Sequence, residues 1–195
     1  MAIIAITGDI GAGKSTVSKL FAEKFSCPLL DADKITAELW HDENVKKIFA
    51  GHWDKKILDS SGEIIKSEIS RRIFSDINEY NFCNSILHPL VMKELKIKIE
   101  ELKNKNKNLI AEIPLLFEAC EKKSDWIHKI IYVAANFETR LQRCKIQRGW
   151  NIDELKRREK FLMQREKKIS LSDFIIQNDG GLEALKQKIS DVKIF

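Results

Sequence analysis

The residues Gly8-Asp9-Ile10-Gly11-Ala12-Gly13-Lys14-Ser15 carry the most specific chemistry in this sequence. They follow the pattern G-x-x-x-x-G-K-S/T in full. Glycines at these positions let the backbone fold tightly, so that several N–H groups converge on phosphate oxygens. A helix beginning near Lys14 would aim the positive end of its dipole at the same place. Gly11, Ala12 and Gly13 would form the cradle, Lys14 would reach the β- and γ-phosphates, Ser15 would bind Mg2+, and Thr16 would add a contact to the α-phosphate. Asp9 is a carboxylate in an anion-binding loop, and its side chain is expected to point outward.

Further charged residues stand where a transferred group would need them. Asp31 and Asp33 follow a short apolar run. Beyond the carboxyl end of a strand in an open parallel sheet, a carboxylate accepts a proton from an attacking hydroxyl or orients it. Asp33 is also placed to cap a following helix. Glu112 lies in the apolar run Leu109–Ile113, where a charge is costly unless it binds something. It either holds Mg2+ through water or belongs to a structural ion pair. Arg140, Arg143, Arg148, Arg157 and Arg158 cluster late in the chain. They read as a helical lid that brings positive charge over a γ-phosphate, or as a solvated helix face paired with Asp153, Glu154 and Glu159.

The elements that must position these residues alternate between two periods. Ala2–Thr7 is a buried strand leading into the glycine turn, and Val17, Leu20, Phe21 and Phe25 recur at helical spacing after it. Pro28–Asp31 is a second strand. From Lys34 to about Leu102 the pattern is mostly helical, with a turn at Asp59-Ser60-Ser61-Gly62. Leu109–Ile113, Ile130–Val133 and Phe174–Ile176 are the third, fourth and fifth strands. Asn136 is placed to cap a helix through about Gln147, Gly149 breaks the pattern, and a charged helix follows over Asp153–Met163. A last helix runs from about Leu182 to Val192. Strands alternating with helices predict an α/β fold, a parallel sheet covered on both faces.

Composition bounds the rest. The 195 residues suit one compact domain with insertions. The net charge of +5 is a mild excess that suits a polyanionic small molecule. No arginine-rich, aromatic-interleaved patch points to nucleic acid. Cys27, Cys83, Cys120 and Cys144 are widely spaced, which argues against zinc and for a reducing compartment. No apolar run approaches the length of a membrane helix, so a cytoplasmic location is expected, with a monomer favoured. Asn104-Lys105-Asn106-Lys107 lacks the aspartate of a guanine-reading motif.

In order and spacing, these segments resemble the dephospho-coenzyme A kinases nearly end to end. Thr7–Thr16 is similar to the family's opening Thr-Gly-Gly-Ile-Gly-Ser-Gly-Lys-Ser-Thr, with Asp9 as the departure. Asp31-Ala32-Asp33 matches its Asp-Ala-Asp. Arg72-Ile73-Phe74 and Leu87-His88-Pro89-Leu90-Val91 match its helical acceptor region. Ile113-Pro114-Leu115-Leu116-Phe117-Glu118 matches the segment after strand three. Asp173–Ile176 and Asn178-Asp179-Gly180 match the closing strand and the adenine-side loop.

The resemblance implies a three-layer P-loop NTPase fold with a five-stranded parallel sheet. Its core would span about 1–33, 108–140 and 172–195, with a helical acceptor-binding insertion at about 34–107 and a lid at about 141–171. It implies transfer of the ATP γ-phosphoryl to the ribose 3′-hydroxyl of dephospho-coenzyme A, with Mg2+. Asp33 would contact that hydroxyl, and Lys14, Arg140 and Arg148 would stabilise the transferring group. Arg143 and Asn178 would join the phosphate loop on the ATP side. Thr7, His88, Pro89, Leu115, Leu116, Phe117, Glu118 and Arg158 would serve the acceptor. The family spaces its lid arginines Arg-x-x-x-Arg before an Asp, whereas Arg143 and Arg148 lie one residue further apart and Gly149 follows. Read without the resemblance, a His-Pro at a helix junction is a turn. Another nucleoside or nucleotide kinase, and a nucleotide-binding regulatory module, also fit the residues alone.

Overall fold

The computed structural model describes residues 1–120 and 124–194. In chain order its elements are β1 (Ala2–Gly8), α1 (Lys14–Lys24), β2 (Leu29–Asp31), α2 (Ala32–Leu39), α3 (Glu43–Trp53), a 3-10 turn (Lys55–Ile57), α4 (Lys66–Ile73) and α5 (Ile77–Leu102). They continue with β3 (Asn108–Glu112), α6 (Leu116–Ala119), β4 (Lys129–Ala134), α7 (Phe137–Arg148), α8 (Ile152–Glu159), α9 (Arg165–Ser170), β5 (Phe174–Gln177) and α10 (Leu182–Asp191). The chain divides into two compact units.

The first unit comprises Met1–Ala32 and the chain from Ile97 onward. Its five strands are all parallel, in the order β2-β3-β1-β4-β5. Parallel strands are covered on both faces and read as continuous apolar runs, and Ile3, Ile4, Ala5 and Ile6 are all buried. Ile4, Ile6, Ile110, Ile131 and Val133 pack with Val17 and Phe21 of α1 and with Leu185 and Ile189 of α10. Burying each of these large side chains contributes ~1.5–3 kcal/mol. β1 and β4 meet so closely at the end of β1 that a Cβ on Gly8 would lie 2.1 Å from the Val133 carbonyl oxygen, and its φ is 145°. Only glycine fits that position, which fixes where the phosphate loop starts. At the far end of α1, Lys24 Nζ donates to the carbonyls of Ile189, Ser190 and Val192 at 2.7, 2.8 and 2.7 Å. An ammonium at the C-terminus of α10 satisfies carbonyls that the helix cannot.

The C-terminal part of this unit follows its local signals. Asn136 caps α7, accepting from the Thr139 N–H at 2.8 Å, and Gly149 ends it in the left-handed region. The single helix expected over Asp153–Met163 is instead α8, ending at Glu159, and a separate α9 from Arg165. Phe161 and Leu162 close tightened turns onto Arg158 and Glu159, and the Met163 N–H donates to Glu118 Oε1 at 3.1 Å rather than to a helical carbonyl.

The second unit, Asp33–Lys96, is helical. Its core gathers Trp40, Val45, Phe49, Trp53, Ile57, Ile69, Cys83 and Leu87. Phe49 sits at its centre, with ring centroids 4.8 Å from Trp40, 5.1 Å from Trp53 and 5.4 Å from Phe82. Asp42 caps α3 through the N–H groups of Asn44 and Val45. The turn expected at Asp59–Gly62 is present. Asp59 Oδ1 accepts from the N–H groups of Ser61 and Glu63, and Leu58 pairs with Ile64 across it. Two local expectations give way to longer-range order. Asp33 lies in the first turn of α2, which begins at Ala32, rather than at its cap. His88 and Pro89 do not form a turn, because α5 runs straight through them. Pro89 removes one backbone donor, but the stripe Leu87, Val91, Leu95 and Ile99 is buried on both sides of it, and that packing keeps the chain helical.

Candidate active site

The phosphate loop hangs between the end of β1 and the start of α1, where Gly13 precedes the first helical turn with φ 87°. Lys14 folds back along the loop, its Nζ donating to the carbonyls of Gly8 at 3.2 Å and Asp9 at 3.0 Å. Ser15 Oγ donates to Glu112 Oε1 at 2.8 Å. Glu112 ends β3, directly beside Asp31 of β2 in the strand register. Its carboxyl is held above its ordinary value because burial disfavours the charge, with a smaller push from Asp31, while the Ser15 hydrogen bond works the other way. Thr7, fully buried, uses its hydroxyl to hold the Pro114 carbonyl at 3.1 Å, tying β1 to the segment after β3.

Two residues expected on the ATP side brace the loop from behind. Asn178 is buried, and its Nδ2 donates to the Ala12 carbonyl at 2.7 Å. Arg143 donates to the same carbonyl at 3.2 Å and to the Asn178 carbonyl at 2.9 Å. A Cβ on Gly13 would lie 2.6 Å from Asn178 Nδ2, so the brace leaves room for hydrogen alone.

The lid arginines divide into three kinds. Arg140 is buried and pairs with Glu159, with further bonds to the Ala135 and Ile10 carbonyls at 3.3 and 3.4 Å. Arg148 and Arg158 both lie over Trp150, their guanidinium carbons 4.7 and 4.0 Å from its ring centroid. Arg158 is also held by Glu154 at 2.7 Å, and burial lowers its pKa. Arg157 pairs with Glu154 from a half-exposed position, which is the solvated-face arrangement.

The structure reverses the expectation for Asp9. Its side chain is not turned outward: only 9% of the residue is exposed. Asp9 Oδ1 accepts from the Tyr132 hydroxyl, and Oδ2 accepts from Arg165 Nε at 3.0 Å. A nearby cation and a phenol make the buried charge tolerable. Burial and the Asp9 carboxylate in turn push the Tyr132 pKa up.

Beside Asp9 is a cavity of about 320 Å3 whose walls include Tyr132, Arg140, Glu159, Arg165 and Lys168. Lys168 and Glu118 form a buried pair at 2.5 Å, and Glu118 Oε2 has no hydrogen-bond partner among the described residues. Leu116 and Phe117 point into the packed interior, at 1% and 2% exposed, whereas Leu115 is partly exposed. Asp33, His88 and Pro89 belong to the second unit, at the start of α2 and within α5. Sequence reading missed Tyr132, Trp150, Arg165 and Lys168. Each acts through a partner that is distant in sequence or held by helix geometry, and only Trp150, beside the helix-breaking Gly149, had a local signal.

Among the described residues no helix is long and apolar enough to cross a membrane.

Comparison with known proteins places this arrangement. The family profile described as dephospho-CoA kinase matches residues 2–184. A dephospho-CoA kinase of Carboxydothermus hydrogenoformans is 34% identical over 96% of this chain and 90% of its own. That of Fusobacterium nucleatum is 33% identical over 96% and 94%. A solved Thermus thermophilus structure shares 30% identity at a TM-score of 0.76, covering 97% of this chain and 94% of its own. A Campylobacter jejuni dephospho-CoA kinase, 23% identical, shares the fold at a TM-score of 0.68 over 96% and 93%. A buried strand, a complete phosphate loop braced by Asn178 and a hydroxyl–carboxylate pair at its mouth are thus set in a chain that belongs to the dephospho-CoA kinase family.

Proposed function

We propose that this chain transfers the γ-phosphoryl group of ATP to the ribose 3′-hydroxyl of dephospho-CoA, giving CoA and ADP. The observation that carries the reading is the complete phosphate loop with Ser15 bonded to Glu112 at 2.8 Å, within a family match spanning residues 2–184. The loop N–H groups and the α1 dipole would take the triphosphate, and Lys14 would leave its two loop carbonyls for the β- and γ-oxygens. Asp33 would accept the proton of the 3′-hydroxyl as its oxygen bonds the γ-phosphorus and the bond to the β-phosphate oxygen breaks. Arg140 and Arg148 would offset the charge on the transferring group, and Arg158 would serve the acceptor. Glu118, one oxygen of which has no hydrogen-bond partner among the described residues, would take a donor of the acceptor beside Leu115, and His88 and Pro89 would contribute from α5.

Ser15 and Glu112 also fit Mg2+. A hydroxyl and a buried carboxylate at the phosphate loop supply oxygen donors, and this ion takes one or two protein oxygens together with phosphates and water. When bound, it would neutralise charge on the phosphate oxygens. The test is ADP release in the presence of dephospho-CoA, with the 3′-phosphorylated product identified by mass, and adenosine and AMP as alternative acceptors. Turnover with adenosine or AMP but not with dephospho-CoA would overturn the reading.

A further inference from the structure

The phosphate loop of this chain carries a negative side chain at a position where the family pattern has glycine. Asp9 is buried, and its backbone carbonyl accepts from Lys14 Nζ at 3.0 Å, so a carboxylate is rooted in the loop that a triphosphate would enter. Uncompensated, a carboxylate here would oppose an incoming polyanion. Its main cationic partner comes from far along the chain: Arg165, the first residue of α9, donates Nε to Asp9 Oδ2 at 3.0 Å. Tyr132 takes the other oxygen from β4. Asp9, Tyr132 and Arg165 also share the wall of the cavity of about 320 Å3, and Arg140 and Lys168 stand on the same wall. The groups facing Asp9 are therefore a phenol and a guanidinium; Arg140 and Lys168 on the same wall are already paired with Glu159 and Glu118, which leaves Arg165 as the cation that meets the carboxylate.

We propose that Arg165 is a positioning residue for nucleotide binding. By pairing with Asp9 it cancels the loop's own negative charge and fastens the start of α9 to the phosphate loop, so that the loop accepts a triphosphate despite the aspartate. Asp9 and Arg165 then form one unit: the cation is needed because the carboxylate is there. The inference rests on the reading of this loop as the ATP site.

The test is a double-mutant cycle on ATP affinity, measured by calorimetry or equilibrium dialysis without acceptor, using the whole chain and its Asp9→Asn, Arg165→Ala and doubly substituted forms. Arg165→Ala is expected to weaken ATP binding about fivefold, a figure kept modest because the Arg165 side chain is 42% exposed. In the Asp9→Asn background the same change should move affinity less than about twofold. Arg165→Lys should restore most of the loss, and added salt should shrink it. Equal losses in both backgrounds, or no loss in either, would overturn the proposal. Thermal melts of all four forms separate loss of fold from loss of affinity, and the Arg165→Lys form covers the case in which Arg165→Ala does not fold. Failure of the unaltered chain to bind ATP would sink the reading of the site instead.

Discussion

Ser15 and Glu112 are 97 positions apart in sequence, yet the serine hydroxyl donates to the glutamate carboxylate at 2.8 Å. β1 and β3 are parallel neighbours in the sheet, so the phosphate loop after one and the carboxylate ending the other meet at the carboxyl end of the strands. Two consequences can be measured at Glu112. Its folded-state pKa is raised above 4.5 by burial, so the native state binds the proton more readily than the unfolded chain. Stability from this group is therefore highest below pH 4.5 and falls as pH rises through the folded value. Glu112→Gln should raise the melting stability at pH 7, with the gain fading toward pH 4.5. The same variant should lose about 10- to 100-fold in turnover with Mg2+ and ATP. A destabilised variant at pH 7 would contradict the assignment of a strained buried charge.

Asp33→Asn keeps the size of the side chain and removes its basicity. ATP affinity should be unchanged, while kcat with dephospho-CoA falls about 10²- to 10⁴-fold. Retained kcat would remove Asp33 from the reaction.

Asn178→Ala would take away the 2.7 Å bond to the Ala12 carbonyl and leave that carbonyl with Arg143 as its side-chain donor. A loss of about 1–3 kcal/mol in stability is expected for the buried bond. ATP affinity should fall with it, because the loop loses its rear support. Denaturant melts and nucleotide titration check both parts.

Trp150→Ala would free Arg148 and Arg158 from the ring that both contact. Each guanidinium–indole contact contributes about 0.5–1 kcal/mol, and Arg158 keeps its bond to Glu154. Turnover should drop more than ATP affinity, since the arginines would remain present but less well oriented. Trp150→Phe should recover part of the loss.

Much of this site was legible because its grammar is local. The apolar run, the glycine spacing and the helical period after it are all read between Ala2 and Phe25, and the Asn136 cap and Gly149 stop of α7 within fourteen residues. Where the reading failed, a partner far away in sequence decided the outcome. Asp9 was expected in solvent because a lone carboxylate among phosphate-binding groups is unfavourable, and the sequence offered no way to foresee Arg165 arriving 156 positions later. The break between α8 and α9 carries neither glycine nor proline; within it the Met163 N–H is taken by Glu118, 45 positions earlier. His88-Pro89 looked like a junction because proline lacks a donor, yet the buried stripe along α5 outweighs one missing hydrogen bond.

The strand that launches the phosphate loop has two strands on either side of it. Amide protons in such a strand exchange with solvent only when the whole sheet opens, so β1 should be among the slowest regions to take up deuterium, with or without nucleotide. Any motion that accompanies turnover must then come from elements outside the sheet's middle, swinging about an anvil that stays still.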